Sequence, residues 1–286
     1  MSARRRLPRH PGAQRARWAR LWVWIPLAVL VAWSLVPILW SIAASFQTPL
    51  ELYQARWIPQ NPTLDNYARV LDSPNFWRFF GNSLFLAFTS TAIAVFCSCL
   101  AAYAFARYAF AWRHILLVVI LVPRILPRAS LIVPLYQLIE SVGLLDTYAA
   151  LIITYTATAI PLATWILTGF FRGVPVELEE AAAIDGATLW QRIWRVVVPI
   201  ALPGMVTVAV LSMREAWNEF PFVLAFTTGA ERRTLPYQLF LLRESHGIQD
   251  WPLVNAFTIL TIVPILLLYI LFERRIISGL TSGALK

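Results

Sequence analysis

Few residues in this chain have the type and spacing to do chemistry, and counting them excludes most reactions. The only lysine is Lys286, the last residue. A Walker-type phosphate loop needs an internal lysine on the nucleotide phosphates, so this chain cannot hydrolyse ATP alone. A Schiff-base lysine falls with it. His10, His114 and His246 lie far apart in sequence. Cys97 and Cys99 are two residues apart in an apolar run, hence about 200° apart on a helix, which suits neither a metal pair nor a disulfide. No metal site, no cofactor and no hydrolase constellation is expected on this chain.

What remains is charge inside apolar sequence. Arg124 and Arg128 are four apart and share a helix face, and Pro123 and Pro127 should bend or open that helix. An arginine near mid-membrane costs about 2.5–3.5 kcal/mol on insertion scales, so it usually faces a protein interior or a water-filled path. Three placements stay open for Arg128: snorkelling to headgroups, contact with another subunit, or a path residue that pairs with Glu215 or hydrogen-bonds substrate hydroxyls, and that would be a natural ligand for an anionic substrate. Downstream, EAWNEF (Glu215 to Phe220) sets Glu215 and Glu219 four apart, with Asn218 adjacent. Polar groups inside a span must find partners. For Asn218, a path and a helix–helix contact are equal readings.

A third stretch, about Arg172 to Pro199, reads as two short helices joined by a tight turn. Pro175 suits a first helical turn, and Glu177, Glu179 and Glu180 set negative charge at the positive end of the helix dipole. The alanine run is helix-forming. Asp185-Gly186 stops it, because glycine accepts the left-handed conformation of many helix ends. Thr188 and Gln191 have the spacing of a capping box. Ala181, Ala182, Ala183 and Ala187 leave little bulk, so the turn is either a knob that enters a groove on another protein or an ordinary amphipathic loop on a bilayer.

The elements that must position these residues follow from composition. The chain has 286 residues, 59% hydrophobic and 14% charged, with mean hydropathy +0.64. A soluble chain carries roughly a quarter charged residues, so most of this one faces lipid. That excludes a soluble enzyme, a secreted disulfide scaffold and a disordered tail protein. The net charge of +9 clusters at the ends of apolar runs, which speaks for membrane orientation and against nucleic acid. A span needs about 20 apolar residues. Six runs qualify: roughly Leu21–Phe46, Ser83–Phe105, Ile115–Ile139, Tyr148–Phe171, Ile200–Phe226 and Leu253–Phe272. The first is too long for a signal peptide and lacks a cleavage site. With the N-terminus inside, inner segments hold about 15 basic residues and outer segments 6, as the positive-inside rule demands. Both termini are then cytoplasmic. The expected layout is a basic segment 1–20, a permease domain 21–275 and a tail 276–286. The outer loop from about Gln47 to Asn82 is Pro- and aromatic-rich and should form a partly helical cap. Trp22, Trp24, Trp33 and Trp40 suit interfacial belts rather than sugar platforms.

Glu180, Ala181, Ala182, then Gly186, then Val196, Val198 and Pro199 follow the spacing E-A-A, three residues, G, nine residues, I-x-L-P, with valine for Ile and Leu. This resembles the membrane subunits of bacterial ABC importers. The chain is further similar to carbohydrate-type permeases of the maltose and trehalose kind. The likeness runs through VPVELEEAAAIDGAT, LDNY (Leu64 to Tyr67), NS (Asn82, Ser83), IVPLYQLIESVGLLDTY, EAWNEF and the tail FERRIISGLTSGALK. It covers roughly residue 25 to the end. Arg124 and Arg128 depart from it, standing where an apolar stretch is commoner.

The resemblance implies an all-α membrane protein of the type I ABC importer fold with six transmembrane helices, in the bacterial inner membrane. It implies a cytoplasmic ATPase dimer that carries ATP-Mg, a second related permease subunit, and an extracytoplasmic binding protein, with membrane lipid as surroundings. Residues 172–199 would be the coupling loop, with Glu180, Ala181, Ala182, Asp185, Gly186 and Ala187 at the docking surface. Arg128, Glu215, Asn218 and Glu219 are the candidate path residues, with Trp217, Phe220 and Phe222 as rings for sugar faces. The cargo would be a sugar or polyol, or a glycerol phosphate. A stand-alone secondary transporter would favour an internal repeat, and none is clear. A membrane enzyme on lipid-linked substrates would need a catalytic cluster, and none is visible.

Overall fold

The computed structural model describes residues 12–54, 56–244 and 250–284, with side chains from 22 to 273 within those ranges. Of the expected basic segment 1–20 the described backbone holds residues 12–20, and of the tail 276–286 it holds 276–284, as parts of the first and last helices; the rest of both lies outside the described residues. The described residues are helical and contain no strand. The chain falls into two compact units, Met1–Tyr67 with Asp250–Ile259, and Ala68–Gln249 with Leu260–Lys286.

In the first unit, α1 (Gly12–Ser45) is an apolar helix whose Trp22, Trp24 and Trp33 are exposed. The short helix α2 (Pro49–Tyr53) starts at Thr48, whose hydroxyl accepts from the Glu51 N–H. With α3 (Asp65–Leu71), α2 makes the partly helical cap anticipated for this loop. LDNY locks it: the Asn66 amide donates to the Ser45 and Gln47 carbonyls, and Tyr67 shares a hydrogen bond with Ser45 at 2.7 Å.

The second unit is built around α4 (Phe76–Arg107) and α7 (Tyr148–Arg172). Alanines and small hydroxyls fill their buried faces: Ala87, Ala94, Ala102, Ala159 and Ala163, with Ser90, Ser98, Thr164 and Thr168. Small residues drive helix association in lipid because backbones can approach closely. Ser90, Ser98 and Thr168 donate to carbonyls of their own or the facing helix, as in Ser98 to Ile160 and Ser90 to Leu86, whereas the Thr164 hydroxyl has no partner among the described residues. Cys97 is exposed and Cys99 buried, as their spacing requires.

Side-chain bonds fix the direction of these helices. The start of α4 meets the start of α7, where Tyr148 Oη donates to Asn82 Oδ1 at 2.9 Å. The end of α4 meets the segment after α7, where Arg107 donates to the Val174 carbonyl at 2.9 Å. The two helices therefore run parallel, and the chain between them must cross back. It does so as a broken span: α5 (Arg113–Leu121), extended by a 3-10 turn to Arg124, and α6 (Arg128–Ser141), bent by 97°. Pro123 and Pro127 bracket the bend, as expected.

After α7 come α8 (Val176–Ile184), α9 (Leu189–Arg192), a π-helical turn over Ile193–Val197 and α10 (Val198–Ile200). An 83° bend leads into α11 (Leu202–Trp217). The fifth run differs from its expectation as one span over Ile200–Phe226. It stops at Trp217 and restarts as α12 (Pro221–Phe226). Pro221 lacks an N–H to continue the ladder and disfavours helical backbone at Phe220. Helices α13 (Leu235–Glu244) and α14 (Trp251–Ala284) follow. Among the described residues four helices are long and apolar enough to cross a membrane, and the number reaches six if each bent pair is one span.

Candidate functional site

The turn between α8 and α9 is built as its sequence requires. Pro175 sits just ahead of α8 as its cap residue, one position before the first turn in which it was expected. The Gly186 N–H donates to the Ala183 carbonyl and the Ala187 N–H to the Ala182 carbonyl, the paired bonds of a Schellman helix end. Gly186 has φ +84°, and no atom lies within 4 Å of the site its Cβ would occupy. The capping box forms in full: Thr188 Oγ1 accepts from the Gln191 N–H, and Gln191 Oε1 from the Thr188 N–H. Glu180, Ala181, Asp185 and Gly186 are exposed, and Ala182 and Ala187 half-buried. The result is a small, rigid, solvent-facing knob. Ile184 at its tip is 87% exposed. An apolar side chain so presented suits a hydrophobic partner pocket, and its position in the E-A-A-A-I-D run does not by itself reveal that exposure.

Glu179, which sequence placed with the dipole charges, points inward instead. It is 3% exposed, accepts from Arg107 Nε at 2.6 Å and from Tyr103 Oη at 2.7 Å. Arg107 also holds the Val174 carbonyl just before α8. The knob is thus tied to the end of α4 through a buried ion pair. Only its long-range partners reveal this role, and they lie 72 and 76 residues away.

The second cluster lies between the two broken helix pairs. Arg124 gives two nitrogens to Glu215, at 2.7 and 2.5 Å, and a third bond to the Thr158 carbonyl at 3.2 Å. Arg128 pairs with Glu219. The expected pairing of Arg128 with Glu215 is therefore shifted by one turn, because Arg124 takes that carboxylate. Each arginine–carboxylate pair spans 91 residues, so helical spacing on both sides gives a two-rung ladder. Glu219 also accepts from the Phe222 N–H, at 3.2 Å, and so caps α12 at the break. Asn218 stands apart from the ladder: it is exposed, and its amide donates to the Arg214 carbonyl of its own helix. Buried Tyr155 carries a hydroxyl with no partner among the described residues.

The rings expected to face sugar do not. Trp217 and Phe222 are 2% and 0% exposed. Trp217 donates to the Thr261 carbonyl and meets Phe80 edge-on, Phe222 stacks on Phe226, and Phe220 on Phe240. They are core rings, since aromatic area in this segment is worth more in packing than at a surface.

NS has a positional role. Asn82 donates to the Glu231 and Arg233 carbonyls, and Ser83 accepts from the Leu235 N–H. Asp146 accepts from Arg232 and the N–H groups of Thr228 and Gly229. Residues 228–235 are thereby fastened to the starts of α4 and α7.

A family model described as "binding-protein-dependent transport system inner membrane component" matches residues 94–277. The chain is 36% identical over 264 residues to the sulfoquinovosyl glycerol transport system permease protein SmoH of Agrobacterium fabrum, covering 92% of each. It is 35% identical over 277 residues to the trehalose transport system permease protein SugB of Mycobacterium tuberculosis, covering 96% of this chain and 99% of that one. A bacterial ABC transporter involved in the import of the acidic polysaccharide alginate contains a chain that superposes with a TM-score of 0.79 at 20% identity, over 94% of this chain and 99% of that one. A likeness at that identity speaks for the fold alone.

Proposed function

The chain belongs to the binding-protein-dependent transport system inner membrane component family, and from that premise we propose that it forms half of a translocation path for a saccharide or related polyol and couples to a separate ATPase through residues 172–199. It is a permease subunit of an ABC importer and a multi-pass inner-membrane protein; the stand-alone transporter and the membrane enzyme weighed from sequence fall with that membership. A glycerol-phosphate-like cargo is the second reading. The saccharide reading is supported by relatives named for trehalose and sulfoquinovosyl glycerol transport.

One observation carries the coupling assignment: a small exposed knob ending at Gly186, anchored through Glu179 to the end of α4. A groove on a cytoplasmic ATPase dimer would take Ile184 and the alanine face, with Glu180 and Asp185 at its rim. ATP-Mg would be held by that partner, for the reason that this chain has one lysine at its end. A second permease subunit would complete the path, and the extracytoplasmic binding protein would deliver cargo to the segment held by Asn82 and Asp146.

The test is mutational. Gly186→Trp adds a ring where close approach is needed and forces a side chain onto a positive φ. Glu180→Lys reverses charge at the contact. Both should leave insertion intact and abolish binding-protein-stimulated ATP hydrolysis in the assembled transporter. Wild-type stimulation and uptake in both variants would remove the coupling assignment.

A further inference from the structure

Three arginines and two carboxylates stand in the facing stretches 122–135 and 202–226. Arg124 and Arg128 use both acids. The third, Arg214, has no carboxylate left. Its guanidinium makes no ion pair or hydrogen bond among the described residues, and the residue is exposed. It sits 12 residues past Leu202, about 18 Å along the helix at 1.5 Å per residue, well inside a hydrocarbon core about 30 Å thick. A cation there requires water or an anion.

The surroundings share this polarity. Asn218 lies one turn on, exposed on the same face, and reaches back to the Arg214 carbonyl at 2.9 Å. Directly after it the helix opens over residues 218–220. Interrupted backbone at membrane depth persists only where it is buried in protein or lines a water-filled cavity. Glu219 and Phe220 are packed into protein at this break, and Asn218 alone is exposed, on the side that carries Arg214. Arg128 adds to the same region. It engages Glu219 through Nη1 alone, and its side chain is 39% exposed against 3% for the carboxylate, so donor capacity faces outward.

We infer that Arg214, Asn218 and the outward side of Arg128 form an anion-accepting station in the translocation path, so that the cargo is a saccharide bearing carboxylate, sulfonate or phosphate oxygens. The two ion pairs cancel, and Arg214 leaves one positive charge over. A neutral sugar gains little from an unpaired guanidinium, whereas an anionic group takes two parallel donors from its planar fork. This inference deepens the importer reading and rests on it.

The test does not need the cargo. Asn218→Cys, in the full transporter with Cys97→Ser and Cys99→Ser, places a thiol one turn from Arg214. Its modification is followed with two membrane-impermeant reagents, sulfonatoethyl and trimethylammonium-ethyl methanethiosulfonate, each rate normalised to a free thiol. The anionic reagent should be favoured about five- to tenfold, as field focusing in a low-dielectric cleft implies. Adding Arg214→Gln should bring the ratio close to one, and Arg214→Lys should retain most of it. No labelling by either reagent, or a ratio unchanged by Arg214→Gln, overturns the inference. So does loss of assembly in Arg214→Gln, which would mark an ion pair with the second subunit. A preparation that shows stimulated ATP hydrolysis without the anion preference fails here only, and the importer reading survives.

Discussion

At the scale of single residues, the loop shows what local sequence encodes. Gly186 and the Thr188–Gln191 box were legible because their partners lie within five residues, so spacing alone specifies the geometry. Glu179 was legible only as a charge near a helix start, because Tyr103 and Arg107 reach it through tertiary structure. The same holds for the ladder: two arginines and two acids at matching spacing announce pairing, but the register is set by how two broken spans meet. Arg214 is not legible as unpaired from sequence, because only the tertiary ladder shows that Arg124 takes Glu215. The Glu179 anchor is testable. Both partners are nearly buried, at 10% and 4% side-chain exposure, so removing one leaves an uncompensated charge. Glu179→Gln and Arg107→Met should each destabilise the purified complex by about 3 kcal/mol. The double variant should cost less than the sum by about 1–3 kcal/mol. Strictly additive losses in denaturant or thermal unfolding would show that the contact carries no coupling.

At the scale of elements, the apolar runs and the third-span bend were readable, since apolar length and paired prolines are local signals. The break at residues 218–220 was not, because a run of apolar and aromatic residues masks the effect of Pro221. The assignment of Trp217 and Phe222 to a sugar surface failed for a related reason: aromatic identity does not say which face a helix buries. The junction of α7 and α11 offers a measurement of how tightly these elements pack. A Cβ on Gly204 would lie 2.4 Å from ring atoms of Phe170, and Phe170 packs against the core around Leu167 and Val197. Alanine favours a helix over glycine by up to about 1 kcal/mol, whereas overpacking costs about 1–3 kcal/mol. Gly204→Ala should therefore be net destabilising. The cause is separable, because Gly204→Ala should cost nothing further in a Phe170→Ala background. A stabilising effect of Gly204→Ala alone would mean that the ring yields freely and the junction is loose.

At the scale of the whole molecule, the open quantity is the orientation of the chain in the membrane, and parity decides it. The two bent pairs are each either one crossing or a re-entrant loop. Asn82 meeting Tyr148 at one end, and Arg107 meeting Val174 at the other, make α4 and α7 parallel, so the segment Arg113–Ser141 crosses once. The end that carries Arg107 also carries Arg172 and the knob, and it holds Arg192 and Arg195 in the same connecting segment. The opposite end holds Arg232 on Asp146. Basic residues concentrate in cytoplasmic segments, so the knob end should be cytoplasmic, where an ATPase can reach it. Reporters fused after Arg172 and at Lys286 should read cytoplasmic, and reporters near Pro62 and Arg232 extracytoplasmic. The Arg172 fusion discriminates most sharply. If the third segment were re-entrant, α7 would cross in the opposite sense and that reporter would appear outside. An extracytoplasmic signal there would break both the six-crossing topology and the access of the knob to ATP hydrolysis, whereas a cytoplasmic signal at Pro62 would unseat only the first span.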